Sequence, residues 1–83
     1  MCRNITTLRG LEPPATSDEI EAAARQYLRK ITGVQKPSSA VTAMFDDAVA
    51  QIAAISALLL EELPPRRVPP KTEPPLRRLG RTP

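Results

Sequence analysis

The residues best suited to chemistry stand at the start of the chain, where Cys2, Arg3 and Asn4 place a thiol, a cation and an amide side by side. A neighbouring cation favours the reactive thiolate form of a cysteine. After removal of Met1, the amine of Cys2 would lie beside its own thiol, as N-terminal nucleophile mechanisms require. A packing or capping role is the first interpretation of Cys2, and a binding or redox role is the alternative, for which Cys2, Arg3 and Asn4 are the candidate site.

The remaining composition excludes most catalytic and metal chemistry. The chain has one Cys and no His, so it can form neither an internal disulfide nor a Ser-His-Asp arrangement. It also lacks the Cys and His ligands of the usual zinc site. Its adjacent carboxylates would diverge around a helix, and it has no glycine-rich phosphate loop. The sequence therefore predicts no catalytic residue, metal site or cofactor, and a protein that is not an enzyme.

The first predicted helix has signals at both ends. Thr16 and Glu19 have the spacing of a capping box, and Gly33 can adopt the left-handed conformation that ends many helices. Between these residues, apolar side chains recur with a helical period. They are Ile20, Ala23, Ala24, Tyr27, Leu28 and Ile31. This pattern predicts a helix over residues 17–32.

A second helix is predicted over residues about 39–62, with Ser38 or Ser39 as its N-cap and the Pro64-Pro65 pair at its end. The large apolar residues expected on its packing face are Val41, Met44, Phe45, Val49, Ile52, Ile55, Leu59 and Leu63. Its longest apolar stretch, residues 48–60, is shorter than the roughly 18–20 residues of a membrane span. A buried helix without membrane contact is therefore expected.

The two helices differ in length, so the first cannot cover the whole of the second. We expect Ile5, Leu8 and Leu11 of the lead-in, residues 1–16, or a second copy of the chain to cover the rest. The predicted fold is all-α, a two-helix antiparallel hairpin with an ordered N-terminal segment. It occupies residues 1–63, and its small, strongly apolar body predicts a homodimer.

The C-terminal segment, residues 64–83, differs from residues 1–63 in its proline content and its charge. It holds seven of the ten prolines, and a Pro-Pro pair recurs every five residues. It has six basic residues and one acidic residue, a net charge of +5, against −2 for residues 1–63. Such a composition predicts an extended or disordered tail. Its cations could bind nucleic-acid phosphates, although no aromatic residue is present for base stacking. They are Arg66, Arg67, Lys71, Arg77, Arg78 and Arg81.

The opening of the chain resembles a known family. The run from Met1 to Ile5, then Thr7-Leu8, then the run from Glu12 to Thr16 is similar to the hallmark of an uncharacterised bacterial family, catalogued as domain of unknown function 2277. The resemblance covers about the first forty residues closely and the second helix by its general pattern. It implies membership of this family, and with it no established activity.

These observations favour a small interaction or regulatory module that acts through helix-mediated association. Two alternatives remain open, a nucleic-acid-associated protein that uses its basic tail and a thiol-dependent ligand or redox site at the N-terminus. A single thiol without a disulfide framework indicates a reducing, cytoplasmic location.

Overall fold

A computed structural model describes residues 4–64 and 73–79 of the chain. This part of the chain contains three helices, α1 (Ser17–Thr32), α2 (Thr42–Glu62) and α3 (Pro75–Leu79), and no strand. Helices α1 and α2 form the antiparallel hairpin, so the predicted all-α fold is confirmed. Of the predicted tail, residues 65–72 and 80–83 lie outside the described residues. The short helix α3 lies within that tail and was not predicted.

Helix α1 is closed at both ends by its own sequence. The backbone N–H of Thr16 donates to Glu19 Oε1 at 2.8 Å, and the backbone N–H of Glu19 donates to Thr16 Oγ1 at 3.1 Å. Both bonds of the predicted capping box are therefore present. At the other end Gly33 has φ +75°, and its N–H donates to the Arg29 carbonyl at 2.9 Å. A left-handed residue at this position suits glycine, which has no Cβ to clash.

Helix α2 begins at Thr42, and the prediction of a start near residue 39 with a serine N-cap is wrong. Residues before it form a turn, in which the N–H of Val41 donates to the Ser38 carbonyl at 3.1 Å. The Thr42 hydroxyl donates to the same carbonyl at 2.7 Å. Because this turn takes up residues 38–41, Val41 stands at the N-cap without a side-chain cap bond.

The core is small and lies where the hairpin helices are closest. It consists of Ile20 and Ala24 from α1 with Val49 and Ala53 from α2, and Val49 is only 1% exposed. Leu8 of the lead-in packs against this cluster. The predicted ordered N-terminal segment is thus part of the fold.

The face of α2 that meets α1 is only partly the predicted one. Val49 is buried, and Phe45 and Ile52 pack against the core. The other five predicted residues are exposed, contrary to expectation: Val41, Met44, Ile55, Leu59 and Leu63. Ala53, which is not among the predicted residues, is buried in the core. Because apolar residues surround most of α2, its periodicity alone does not identify the face that packs.

Candidate functional site

The structure describes only one of the three residues of the predicted N-terminal site. Cys2 and Arg3 lie outside the described residues. The backbone N–H of Asn4 donates to Gln26 Oε1 at 2.7 Å, which holds the start of the lead-in against the middle of α1. The predicted grouping of Cys2, Arg3 and Asn4 as a binding site stays a prediction.

Two further polar groups on these segments were not predicted. Thr6 Oγ1 and Arg29 Nε are buried and have no hydrogen-bond partner in the described part of the chain. Thr6 follows Asn4 by two residues, and Arg29 follows Gln26 by three, on the same side of α1. Both groups can donate a hydrogen bond to an acceptor. Within residues 4–64 and 73–79, no three Cys, Asp or Glu side chains are grouped to hold a metal ion.

The lead-in is also fixed to the end of α2. The guanidinium of Arg9 donates to the Pro64 carbonyl from Nε at 3.0 Å and from Nη2 at 2.6 Å. Beside this contact lies a half-open cavity of about 710 Å³, a volume within the range of small-molecule sites. Its apolar walls come from the lead-in, from α1 and from the end of α2, and they include Leu8, Leu11, Ile20, Leu60 and Leu63.

The most exposed apolar surface lies on α2. We call it the outer face, and its members, each at least 50% exposed, are Met44, Ile55, Leu58 and Leu59. At 100° per residue these side chains fall within about 100° of one another, on the side of α2 away from Val49 and Ala53. A shallow groove of about 590 Å³ lies beside them, lined in part by Gln51 and Ala54.

By length and composition alone, α2 could cross a membrane. It has 21 residues, and its most apolar 18-residue window has a mean hydropathy of 1.6. The helix is thus longer than the apolar stretch counted from the sequence. Core helices of soluble proteins pass the same criterion, but only 11% of this window is buried. Most of α2 therefore faces outward in a single chain.

The C-terminal segment is held at the start of α1 by a buried ion pair. Arg77 donates to both oxygens of Glu19, from Nε to Oε2 and from Nη2 to Oε1, each at 3.1 Å. Nη2 also donates to the Pro14 carbonyl at 3.3 Å. The side chain of Glu19 is 4% exposed and that of Arg77 is 13% exposed. Arg77 Nη1 is buried without a hydrogen-bond partner in the described residues.

The ionised form of Glu19 is favoured by its contacts with Thr16 and Arg77. Burial acts to raise the pKa of its carboxyl. The bond from the Thr16 backbone, the bonds and charge of Arg77, and the Thr16 side chain outweigh this effect and lower that pKa below its ordinary value of 4.5. The carboxylate is thus ionised at neutral pH, as the bidentate pair with Arg77 requires.

Comparison with known proteins decides the family. Residues 1–81 match the family described as "Uncharacterized conserved protein (DUF2277)". The chain belongs to the DUF2277 family. The match continues through the proline-rich tail, beyond the forty residues that carry the resemblance in sequence. No curated protein matches this DUF2277 chain, and no solved structure matches it.

Sequence reasoning on this DUF2277 chain missed the pairing of Arg77 with Glu19. Each residue had a local explanation, since Glu19 completes a capping box and Arg77 is one of several cations in the tail. The signal that could have found the pair is the opposite charge of the two regions, −2 for residues 1–63 and +5 for residues 64–83. That difference favours contact between tail and body, but it does not select the partners.

Proposed function

We propose that this protein is a small, non-enzymatic interaction module of the cytoplasm and that it associates with a second copy of itself through the outer face of α2. One observation carries the proposal, the exposure of four large apolar side chains on a helix of which only 11% of the most apolar window is buried. Contiguous apolar surface of this kind is typical of interaction sites. The cytoplasmic location is supported by the single thiol without a disulfide framework.

The size of the outer face suits a moderate affinity. Met44 and Leu59 are fifteen residues apart, or about 23 Å along the helix. Burying a large apolar side chain contributes about 1.5–3 kcal/mol when it starts fully exposed. Four partly exposed side chains from each copy would then contribute on the order of 10 kcal/mol, against an association cost of about 4–15 kcal/mol. The net gain is then about 6 kcal/mol at the lowest association cost, so a homodimer with a dissociation constant of tens of micromolar or weaker is the expected product.

Charge distinguishes self-association from binding to a basic partner. Helix α2 contains four acidic residues, Asp46, Asp47, Glu61 and Glu62, and no basic residue. Asp46 is paired with Arg25 at 3.1 Å, whereas the others leave a negative border beside the outer face. Two copies would bring like charges together, so added salt should tighten a homodimer and weaken a complex with a basic partner.

The test is the oligomeric state of the full chain by sedimentation. We expect a dimer that dissociates on dilution from about millimolar to about ten micromolar concentration and that tightens between about 50 and 500 mM salt. The substitution Ile55→Glu should weaken dimerisation at least about a hundredfold, because it places a charge in the apolar contact. A matched control is Ala50→Glu, which adds the same charge at an exposed position of α2 outside the outer face.

A monomer at the highest concentration reached would refute the proposal. Equal effects of Ile55→Glu and Ala50→Glu would also refute it, because the dimer would then respond to net charge alone. Circular dichroism of both variants should match the unmodified chain, since both positions are exposed.

The other two functions remain weaker proposals. Nucleic-acid binding by the tail loses one of its six cations, because Arg77 is buried against Glu19. The five that remain would still give nonspecific, salt-sensitive contacts with phosphate. A thiol-dependent ligand or redox site would rest on Cys2, which lies outside the described residues.

A further inference from the structure

The tail is built from short repeats that differ at one position. A Pro-Pro pair begins at residues 64, 69 and 74. The third residue after the first proline is Arg67 in the first repeat and Arg77 in the third. The second repeat has Thr72 at that position. Two of the three repeats therefore share the pattern Pro-Pro-x-Arg, and the second supplies a natural control that lacks the arginine.

In the third repeat, the arginine contacts the body and the first proline is buried. Pro74 is among the most deeply buried side chains of the described residues. Arg77 is held by both oxygens of Glu19 and by the Pro14 carbonyl. Leu76, which stands at the variable position of the pattern, is exposed. The body thus binds the arginine, the first proline of the repeat is buried, and the variable side chain is exposed.

The acidic side of this contact is organised by α1 itself. Glu19 Oε1 accepts the backbone N–H of Thr16 in the capping box, so the carboxylate is fixed by its own helix. A group that is already in place loses little freedom when it binds a partner, which favours recognition. The guanidinium also buries one donor, Nη1, without a partner in the described residues. That cost limits the strength of docking and favours exchange.

We propose that Pro14 and Glu19 form a recognition site for a Pro-Pro-x-Arg segment, and that the chain's own residues 74–77 fill this site in the structure. The same segment of a second copy is the occupant that fits the site from outside. The site is formed by Pro14 and Glu19 and shares no residue with the outer face of α2, so the two proposals can be tested by separate substitutions.

The test uses the full chain and a fluorescent peptide with the sequence of residues 73–79. The variant Arg77→Ala lacks the arginine that fills the site, so it should bind the peptide. The unmodified chain should bind it at least about tenfold more weakly, because its own segment competes. The double variant Arg77→Ala/Glu19→Gln should not bind it. Glutamine can replace glutamate in a capping box, so Glu19→Gln removes the charge and leaves the helix start intact.

A peptide with the sequence of residues 68–73 is the matched control, because it contains the second repeat with threonine in place of arginine, and it should not bind. Absence of binding of the 73–79 peptide to Arg77→Ala at millimolar concentration would overturn the proposal. Equal binding with and without Glu19→Gln would also overturn it. If Arg77→Ala loses helix content by circular dichroism, Arg77→Lys is used instead. Lysine keeps the charge but cannot form the bidentate pair, so this variant should still bind the peptide more tightly than the unmodified chain does.

Discussion

Helices α1 and α2 make one hairpin, but they are specified in different ways. Helix α1 is closed by a capping box at Thr16 and by Gly33, and its start also holds Arg77. Helix α2 is longer, has no side-chain cap, and exposes large apolar residues. The local sequence is enough to begin and end α1, whereas α2 depends on what packs against it. The strong local signals thus belong to α1, and the largest exposed apolar side chains belong to α2.

The largest expected effect is the difference in the free energy of unfolding between a substitution in the core and one on the outer face of α2. Replacing Ile20 by Ala removes a buried side chain of the core, and we expect a loss of about 3 kcal/mol in the free energy of unfolding. Replacing Ile55 by Ala should change it by less than about 0.5 kcal/mol in dilute, monomeric protein, because this side chain is exposed. Urea unfolding followed by circular dichroism measures both.

Urea unfolding at high protein concentration tests whether the outer face of α2 becomes buried between copies. If copies associate through the outer face, stability rises with protein concentration in the unmodified chain and less so in Ile55→Ala. Equal losses for the two substitutions in dilute protein would mean that Ile55 is buried in the monomer, and the contrast between the two faces would fail.

An intermediate effect is expected where the helices begin. Thr16→Ala removes the side-chain oxygen that accepts the Glu19 N–H, and it should reduce the free energy of unfolding by about 1 kcal/mol. Val41→Ala should change it by less than about 0.5 kcal/mol, because Val41 makes no side-chain cap bond at the start of α2. A thermal unfolding series with both variants at one concentration tests the contrast. A larger loss for Val41→Ala would show that the start of α2 is held more firmly than that of α1.

The smallest expected effect concerns acid. The folded-state pKa of Glu19 lies below the ordinary value of 4.5, so the unfolded state binds more protons between the two values. The stability that Glu19 contributes is therefore complete above about pH 5 and is lost as pH falls through the lowered pKa. Glu19→Gln lacks this contribution at every pH. Unfolding midpoints between pH 6 and 3 should fall more steeply for the unmodified chain than for Glu19→Gln, and parallel curves would contradict the assignment.

Features with a local cause could be predicted from the sequence. The capping box of α1, its end at Gly33 and the end of α2 before Pro64 each follow from residues within one helical turn. The all-α fold follows from these signals together with the helical period of the apolar residues. The family, too, could be recognised from the opening residues alone.

Features with a tertiary cause could not be predicted. The packing face of α2 is set by its fit to α1, and the apolar residues around α2 leave several faces possible. The pair of Arg77 with Glu19 joins residues 58 positions apart, and no local pattern relates them. The contact of Asn4 with Gln26 is of the same kind. For the predicted N-terminal site, only this last contact lies within the described residues.

Arg77 follows Glu19 by 58 residues, so the two partners of this contact are synthesised at different times. Polypeptides are synthesised at about 5–20 residues per second, so Arg77 is made roughly 3 to 12 seconds after Glu19. Thr16, the capping partner of Glu19, precedes it in the chain, so both groups of the capping box are present throughout that interval. The carboxylate of Glu19 is therefore synthesised, with its capping partner, several seconds before the arginine that pairs with it.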